Sequence, residues 1–252
     1  MRRARGEFVV RMDCRARYPR GYVARCIAIA EATGAWNVGG TLVPEGRRPL
    51  EQAVAAAMDS PFGGIGWSRH GDGAAPVEVD TVYCGTFRRD VFERVGLFDE
   101  ALPWNEDEEL NLRLRRAGGR VLLVPDLRVP YVPNGSLRAL VVRYYRYGRG
   151  KVSVMRKHRR VVSARSLAPI ALVGSLGAVA AASPRSTVAR SALAVELALY
   201  AASALAFAAR SVAGRGAPRY LVPAVAAVFP AMHVPYGVGM AHGLVEEVLL
   251  RR

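Results

Sequence analysis

The chain has 252 residues, 36 Lys or Arg against 21 Asp or Glu, and a formal net charge of +15. That length can bury a real core, either as one large domain or as one domain with an appendage. Its three cysteines, Cys14, Cys26 and Cys84, are odd in number, scattered and outside metal-ligand spacing, which excludes a zinc site and a disulfide framework and fits a reducing cytosolic setting.

The opening residues Met1 to Val10 are basic, and no long apolar stretch comes before Asp13, so no signal peptide is expected there. Glu7 to Met12 is a short apolar and β-branched run that predicts a buried strand, with Asp13 at its end. An acid at that edge of an open α/β sheet points into the ligand crevice, although a turn-forming or capping aspartate reads equally well. Gly21 to Thr33 has helical periodicity through Tyr22, Cys26, Ile29 and Ala30. Asn37 to Val43 reads as a strand, and Gly39-Gly40 inside it predicts a bulge or a close backbone approach. Pro49 to Met58 predicts a short helix. The glycine-rich stretch from Ser60 to His70 reads as an ordinary loop or as one that approaches phosphate or sugar, with His70 a solvated side chain on the first reading. Val77 to Phe87 alternates as a strand, Arg89 to Val95 forms a short helix ending at Gly96, and the run from Arg120 is an apolar strand. Strand and helix alternate, which predicts an α/β fold with a mainly parallel sheet.

Between these elements lies residues 104–119, the densest chemical signal of the chain. Asn105 reads as an N-cap, with Glu108 closing a capping box, and Leu110, Leu114 and Ala117 form a buried stripe. Arg113, Arg115 and Arg116 come near the end, and Gly118-Gly119 stop the helix. Acids first and bases last match the helix dipole. Four consecutive acids, Glu106 to Glu109, also repel one another, so at least one has reason to hold a raised pKa or to meet a cation. A general base requires that condition.

Beyond about residue 165 charge almost vanishes into Ala, Val and Leu, a membrane-type shift. Nine Lys or Arg between Arg143 and Arg165 precede it, where they would face anionic headgroups; a nucleic-acid patch is the competing reading. Ser136 to His158 is amphipathic and basic, suited to a membrane surface. Three apolar segments follow, Leu167 to Ser183, Ser191 to Ala209 and Tyr220 to Leu244; the first is short for a span, against the roughly 17 to 25 residues needed. Glu196 in the second is costly in lipid unless it faces protein, and prolines 223, 230 and 235 predict a kinked or partly interfacial third. A buried helical hairpin in a soluble domain is the alternative. The positive-inside rule keeps the cluster before Leu167 cytoplasmic, puts Arg185 and Arg190 outside, and returns Arg210, Arg215 and Arg219 to the inside.

The stretches ValValArgMetAspCysArgAlaArgTyrPro (9–19), AsnValGlyGly (37–40), ThrValTyrCysGlyThrPheArgArgAspValPheGluArgValGlyLeuPheAspGlu (81–100) and AsnGluAspGluGluLeuAsnLeuArgLeuArgArgAlaGlyGly (105–119) resemble family 2 glycosyltransferases of the GT-A fold. The subgroup that builds succinoglycan-type exopolysaccharide is the nearest match, over about residues 4–160. The resemblance implies a Rossmann-like nucleotide-diphospho-sugar transferase domain over 1–135, a basic juxtamembrane segment over 136–165, and a membrane region of about three helices over 166–252. It implies inverting transfer from a nucleotide-sugar to a lipid-linked or membrane-adjacent glycan hydroxyl, at a multi-pass cell-membrane protein with a cytoplasmic catalytic domain; nucleic acid is no partner on this reading.

By the same resemblance Asp107 is the general base, and Glu106, Trp104 and Gly85 lie about the acceptor. Asp13 matches the first acid of an Asp-x-Asp motif that holds Mg²⁺ or Mn²⁺ against the donor diphosphate, with Arg15 at the third position as a cation able to neutralise phosphate. Arg146 to Gly150 takes the place of a Gln-x-x-Arg-Trp motif, giving Arg149 and Arg146 to the donor. In relatives a segment like residues 4–10 follows a helix well inside the domain, so the chain is expected to begin in mid-domain and hold a partial GT-A domain. A truncated, non-catalytic membrane protein is the alternative that this leaves open.

Overall fold

The computed structural model describes residues 3–64, 75–133 and 135–249. They form two compact units, one of residues 1–45 and 67–133, the other of residues 46–66 and 134–252. Segment 46–66 therefore groups with the C-terminal helices, which linear order does not foretell. Of the stretch from Ser60 to His70, residues 65–70 lie outside the described residues, His70 among them.

In the first unit, β1 (Phe8–Val10), β2 (Asn37–Pro44), β3 (Val77–Glu78), β4 (Thr86–Arg88) and β5 (Val121–Tyr131) make one sheet in the order β1-β4-β2-β5-β3. Among the described residues only β2 and β5 pair in parallel. The expectation of a mainly parallel sheet is thus corrected to a mixed one: β4 enters between β1 and β2, antiparallel to both. The single strand expected over Val77 to Phe87 is instead two short ones on different sides of the sheet, because the chain turns at Tyr83 and Cys84, the latter in the left-handed region at φ 55°. The strand at residues 7–12 shrinks to a half-buried edge.

Helix α1 (Tyr22–Thr33) lies between two left-handed glycines, Gly21 and Gly34. It buries Tyr22, Cys26 and Ala30 against Val38, Leu122, Val124, Leu127 and Val129. The opposite face takes the helix after α2 (Pro49–Asp59), α3 (Val91–Val95), and then α4 (Glu106–Arg116), whose Leu110 and Leu114 pack with Phe87, Val91, Phe92, Val121 and Leu123. Leu122 and Val124 face α1 while Val121 and Leu123 face α4, so β5 is apolar on both sides. Each such leucine contributes about 1.5–3 kcal/mol by burial. Ala117, expected in the buried stripe, is exposed: it is the C-cap, beyond the last turn that meets the sheet. Gly118, at φ 86°, and Gly119 then close the helix through bonds to the Arg115 and Leu114 carbonyls.

The two glycines of β2 explain its register. Gly40 pairs with Val124 and Thr41 with Arg128, so β5 bulges out Pro125, Asp126 and Leu127 at that point. A methyl group on Gly40 would collide with the Leu127 carbonyl, and one on Gly39 would come 2.9 Å from Val82.

The second unit contains α2, α5 (Leu137–His158), α6 (Ala168–Ala182), α7 (Thr187–Gly214) and α8 (Val222–Leu249). Among the described residues, the segments Ala164–Ala182, Thr187–Gly214 and Arg219–Glu246 are helices long and apolar enough to cross a membrane. Val188, Val195, Leu197 and Leu199 of α7 point outward, a poor arrangement for water and a natural one for lipid. The basic helix α5 buries Leu140, Val152 and Val154, and packs along α8 through small residues. A side chain on Gly148 would strike the Tyr236 carbonyl, and one on Gly239 the Tyr145 carbonyl, so the two backbones touch. Helix α2 buries Ala53 to Met58; Ser211 of α7 donates to its Ala56 carbonyl at 2.6 Å and Arg215 pairs with Asp59 at 2.6 Å. Glu196 accepts from Ser175 of α6 at 2.5 Å, the protein partner its position calls for. Pro230 and Pro235 lie within α8, which remains one helix.

Replacing Gly40 by alanine is expected to cost about 1–3 kcal/mol, since the Leu127 carbonyl must move. Thermal unfolding in detergent measures it; an unchanged midpoint would mean the strands are not this close.

Candidate active site

Four carboxylates on the first turn of α4 each meet a different neighbour. Glu109 is fully buried and paired with Arg113 at 2.8 Å, and that guanidinium also donates to the carbonyls of Val95 and Leu97. Glu108 accepts from the Asn105 side-chain amide at 3.2 Å. The capping box is therefore altered: Asn105 is the N-cap, but it adopts a left-handed backbone (φ 62°) from which its side chain makes no cap bond. Glu106 takes Arg11 at 2.6 Å. Asp107 accepts from the Glu108 amide at 2.8 Å and stands 4.0 Å from Arg11.

Asp107 combines two properties that seldom coincide. Its side chain remains 38% exposed, open to a ligand. Its carboxyl is nevertheless held above the ordinary aspartate range, first by the surrounding protein and then by the negative charge of Glu106, with Arg11 pulling the other way. Arg11 is steadied from a third side by the Phe98 ring, 5.5 Å from its guanidinium carbon. Arg11 is the residue that sequence reasoning missed. A cation to answer the acids was required, but its position, two residues before Asp13, gave no sign that β1 runs beside the start of α4.

Asp13 follows β1 in a tight turn. Its carboxylate accepts from the Arg15 amide at 2.8 Å, with the Arg15 guanidinium 3.9 Å away. Its own amide donates to the Tyr18 hydroxyl at 2.6 Å, and that hydroxyl donates to Cys84 Sγ at 2.9 Å. Burial raises the thiol of Cys84, the phenol of Tyr18 and the phenol of Tyr83, which faces Asp13; all three stay neutral near pH 7. Cys84 also lies within electrostatic reach of Arg11, so Asp13, Cys84, Arg11 and Asp107 form a continuous chain of neighbours. Gly85 accepts from the Arg11 amide through its carbonyl at 3.0 Å, and a Cβ there would collide with Asn37, which is bonded to Asn111 at 2.8 Å. Trp104 precedes the helix, half-buried. Arg146 and Arg149 lie on α5 in the second unit, where Arg149 is held by Glu246 through two bonds of 2.6 and 2.8 Å.

Among the described residues no group of three or more His, Cys, Asp or Glu gathers as a ready metal cage. Magnesium commonly takes only one or two carboxylates and completes its shell with phosphate oxygens and water, so the single carboxylate of Asp13 fits an ion that arrives with a diphosphate.

No family model matches the chain. It is 30% identical over 244 residues to succinoglycan biosynthesis protein ExoA of Rhizobium meliloti (strain 1021), a match covering 96% of this chain and 71% of that protein. The chain belongs to the succinoglycan-biosynthesis group of family 2 glycosyltransferases. O-antigen biosynthesis protein RfbC of Myxococcus xanthus is also similar, 30% identical over 129 residues, 51% of this chain and 9% of RfbC.

The ion pair under the acidic turn sets how firmly α4 is held. Arg113→Met would leave the Glu109 charge buried without its partner, an expected loss of about 3–5 kcal/mol, whereas adding Glu109→Gln should recover part of it. Unfolding midpoints of the single and double variants check this; equal losses would show that the pair is not coupled.

Proposed function

We propose that the chain is an inverting glycosyltransferase that moves a sugar from a nucleotide-sugar to a lipid-linked or membrane-adjacent glycan acceptor in exopolysaccharide or cell-envelope synthesis. The observation that carries this reading is Asp107, exposed, raised in pKa and set between Glu106 and Arg11. Asp107 takes the proton of the acceptor hydroxyl as its oxygen bonds to the anomeric carbon; the bond from that carbon to the diphosphate breaks and the nucleoside diphosphate leaves with the electron pair. Attack from the face opposite the leaving group inverts the centre. Glu106 keeps Asp107 basic enough to accept the proton, and Arg11 keeps it ionised enough to be ready.

Asp13, with the donor diphosphate, would hold a divalent ion that offsets charge on the leaving group. The family resemblance gives Arg149 and Arg146 to the donor and Trp104 and Gly85 to the acceptor. The three apolar helices anchor the chain as a multi-pass membrane protein, with the basic segment before α6 and the catalytic unit on the cytoplasmic side.

Asp107→Asn should preserve the fold and lower kcat by roughly 10²–10⁴-fold, the range for loss of a general base. Sugar transfer by the purified full chain measures it, and unchanged turnover would remove Asp107 from the reaction. The acidic limb of kcat/KM offers a separate check. The base must be ionised, so activity rises with pH through a pKa above the ordinary aspartate value. Glu106→Gln removes a negative neighbour and frees Arg11 for Asp107, moving the limb to lower pH; Arg11→Met moves it to higher pH. Shifts in the same direction would contradict this arrangement.

A further inference from the structure

The second unit contains a groove lined by none of the residues assigned to sugar transfer. It has a volume of about 600 Å³ and lies where α5 ends, beside the start of α6 and the C-terminal half of α8. Val152, Met155, Leu167, Ile170, Met240 and Leu244 form its apolar wall. Arg156, Arg159 and Arg160 rim it, and among the described residues no acidic side chain lines it.

Two features distinguish this from an ordinary solvated charge cluster. Other arginines of this unit are already paired, Arg149 with Glu246 and Arg215 with Asp59. Arg159 and Arg160, by contrast, have no carboxylate partner among the described residues, and both are exposed. The chain also turns here through Arg159 in the left-handed region, at φ 49°, which ends α5 and brings successive arginines to one rim. Directly after the rim the apolar stretch of Ala164–Ala182 begins. Cations at the end of a membrane helix lie at the depth of lipid phosphates, and apolar wall below them lies at the depth of acyl chains.

We propose that this groove binds an anionic phospholipid of the surrounding bilayer, with the phosphate at Arg156, Arg159 and Arg160 and an acyl chain along Ile170, Met240 and Leu244. The charge of the rim selects the headgroup. The apolar wall excludes a free anion as the occupant, because inorganic phosphate would leave that wall in water. The site concerns a bilayer lipid and not the glycan acceptor, so its test is independent of sugar transfer.

The full chain is placed in nanodiscs of phosphatidylcholine with one-fifth phosphatidylglycerol, and the lipids retained on release are counted by native mass spectrometry. The wild type is expected to retain phosphatidylglycerol selectively. Arg156→Gln, Arg159→Gln and Arg160→Gln should each weaken retention by roughly fivefold, the contribution of one basic residue at an anionic surface. Ile170→Trp, which fills the groove and leaves all three arginines, should lose it as well. Arg185→Gln with Arg190→Gln, which removes charge at the other end of α6, should have no effect. Equal losses from that control would reduce the effect to general surface charge and overturn the proposal, as would retention by Ile170→Trp. Displacement of the lipid by millimolar inorganic phosphate would identify a simple anion site instead. If Ile170→Trp changes only the oligomeric state, the groove holds a second copy and the lipid reading fails. Unchanged unfolding midpoints in the variants exclude misfolding as the cause of any loss.

Discussion

Four carboxylates on one helical turn are the constraint from which the first unit is built. Like charges at this spacing repel, and helix-dipole compensation is worth only about 0.3–1 kcal/mol each. The cost is met by separation of roles. Glu109 turns inward to Arg113, and that guanidinium ties the end of α3 to α4 through two carbonyls. Glu106 turns to Arg11 from the neighbouring edge strand, while Glu108 is held by Asn105. What remains is Asp107, with a backbone amide on one oxygen and a cation at the limit of ion-pair range on the other. It is set apart by sharing its cation with Glu106.

Sheet order delivers that shared partner. Because β4 lies between β1 and β2, the turn at Tyr83 and Cys84 reaches the end of β1, and the Arg11 amide is fixed on the Gly85 carbonyl. The backbone that places Arg11 beside α4 thus also sets Cys84 against Tyr18 and Asp13. On the α1 side, the Tyr22 hydroxyl donates to the Cys84 carbonyl at 2.9 Å and receives the Gly40 amide at 3.1 Å. One buried phenol therefore joins the turn at Cys84 to the bulge of the central strand, which accounts for glycine at 40 beyond the steric argument.

The parts legible in the sequence were those encoded by local pattern. The spacing of Leu110 and Leu114, the periodicity through Tyr22, Cys26, Ile29 and Ala30 and the glycine pair inside β2 each signal their element without reference to the rest of the chain. The failures share a cause in non-local pairing. Nothing in Val77 to Phe87 reveals that its two halves join different neighbours, since alternation persists across the turn and only the positive φ of Cys84 separates them. The parallel sheet failed for the same reason: alternation of strand and helix does not specify where an inserted antiparallel strand will pair. Asn105 shows a local failure. Its residue type suits an N-cap, but the left-handed backbone takes its side chain to Glu108 instead. The acidic cluster was visible and its need for a cation could be argued, whereas the identity of Arg11 depended on a contact across 95 positions.

In the second unit the same economy of polar groups applies under a stricter penalty. Helices apolar enough to cross a membrane have little to gain from unpaired polar groups, and several on α7 and α8 find protein partners. Glu196 meets Ser175, and His233 lies between the Tyr200 hydroxyl and the Phe62 carbonyl, both at 2.8 Å. Phe62 itself stacks on Phe207 and meets Phe229 edge-on, so the short turn after α2 fills a space between the two long helices that a polar loop could not occupy. This makes the segment that follows β2 part of the packing of the second unit. Arginines with a carboxylate within reach brace helix against helix. At the end of α5 no such carboxylate reaches Arg159 or Arg160 among the described residues, and a planar guanidinium is suited to bond phosphate through two parallel donors.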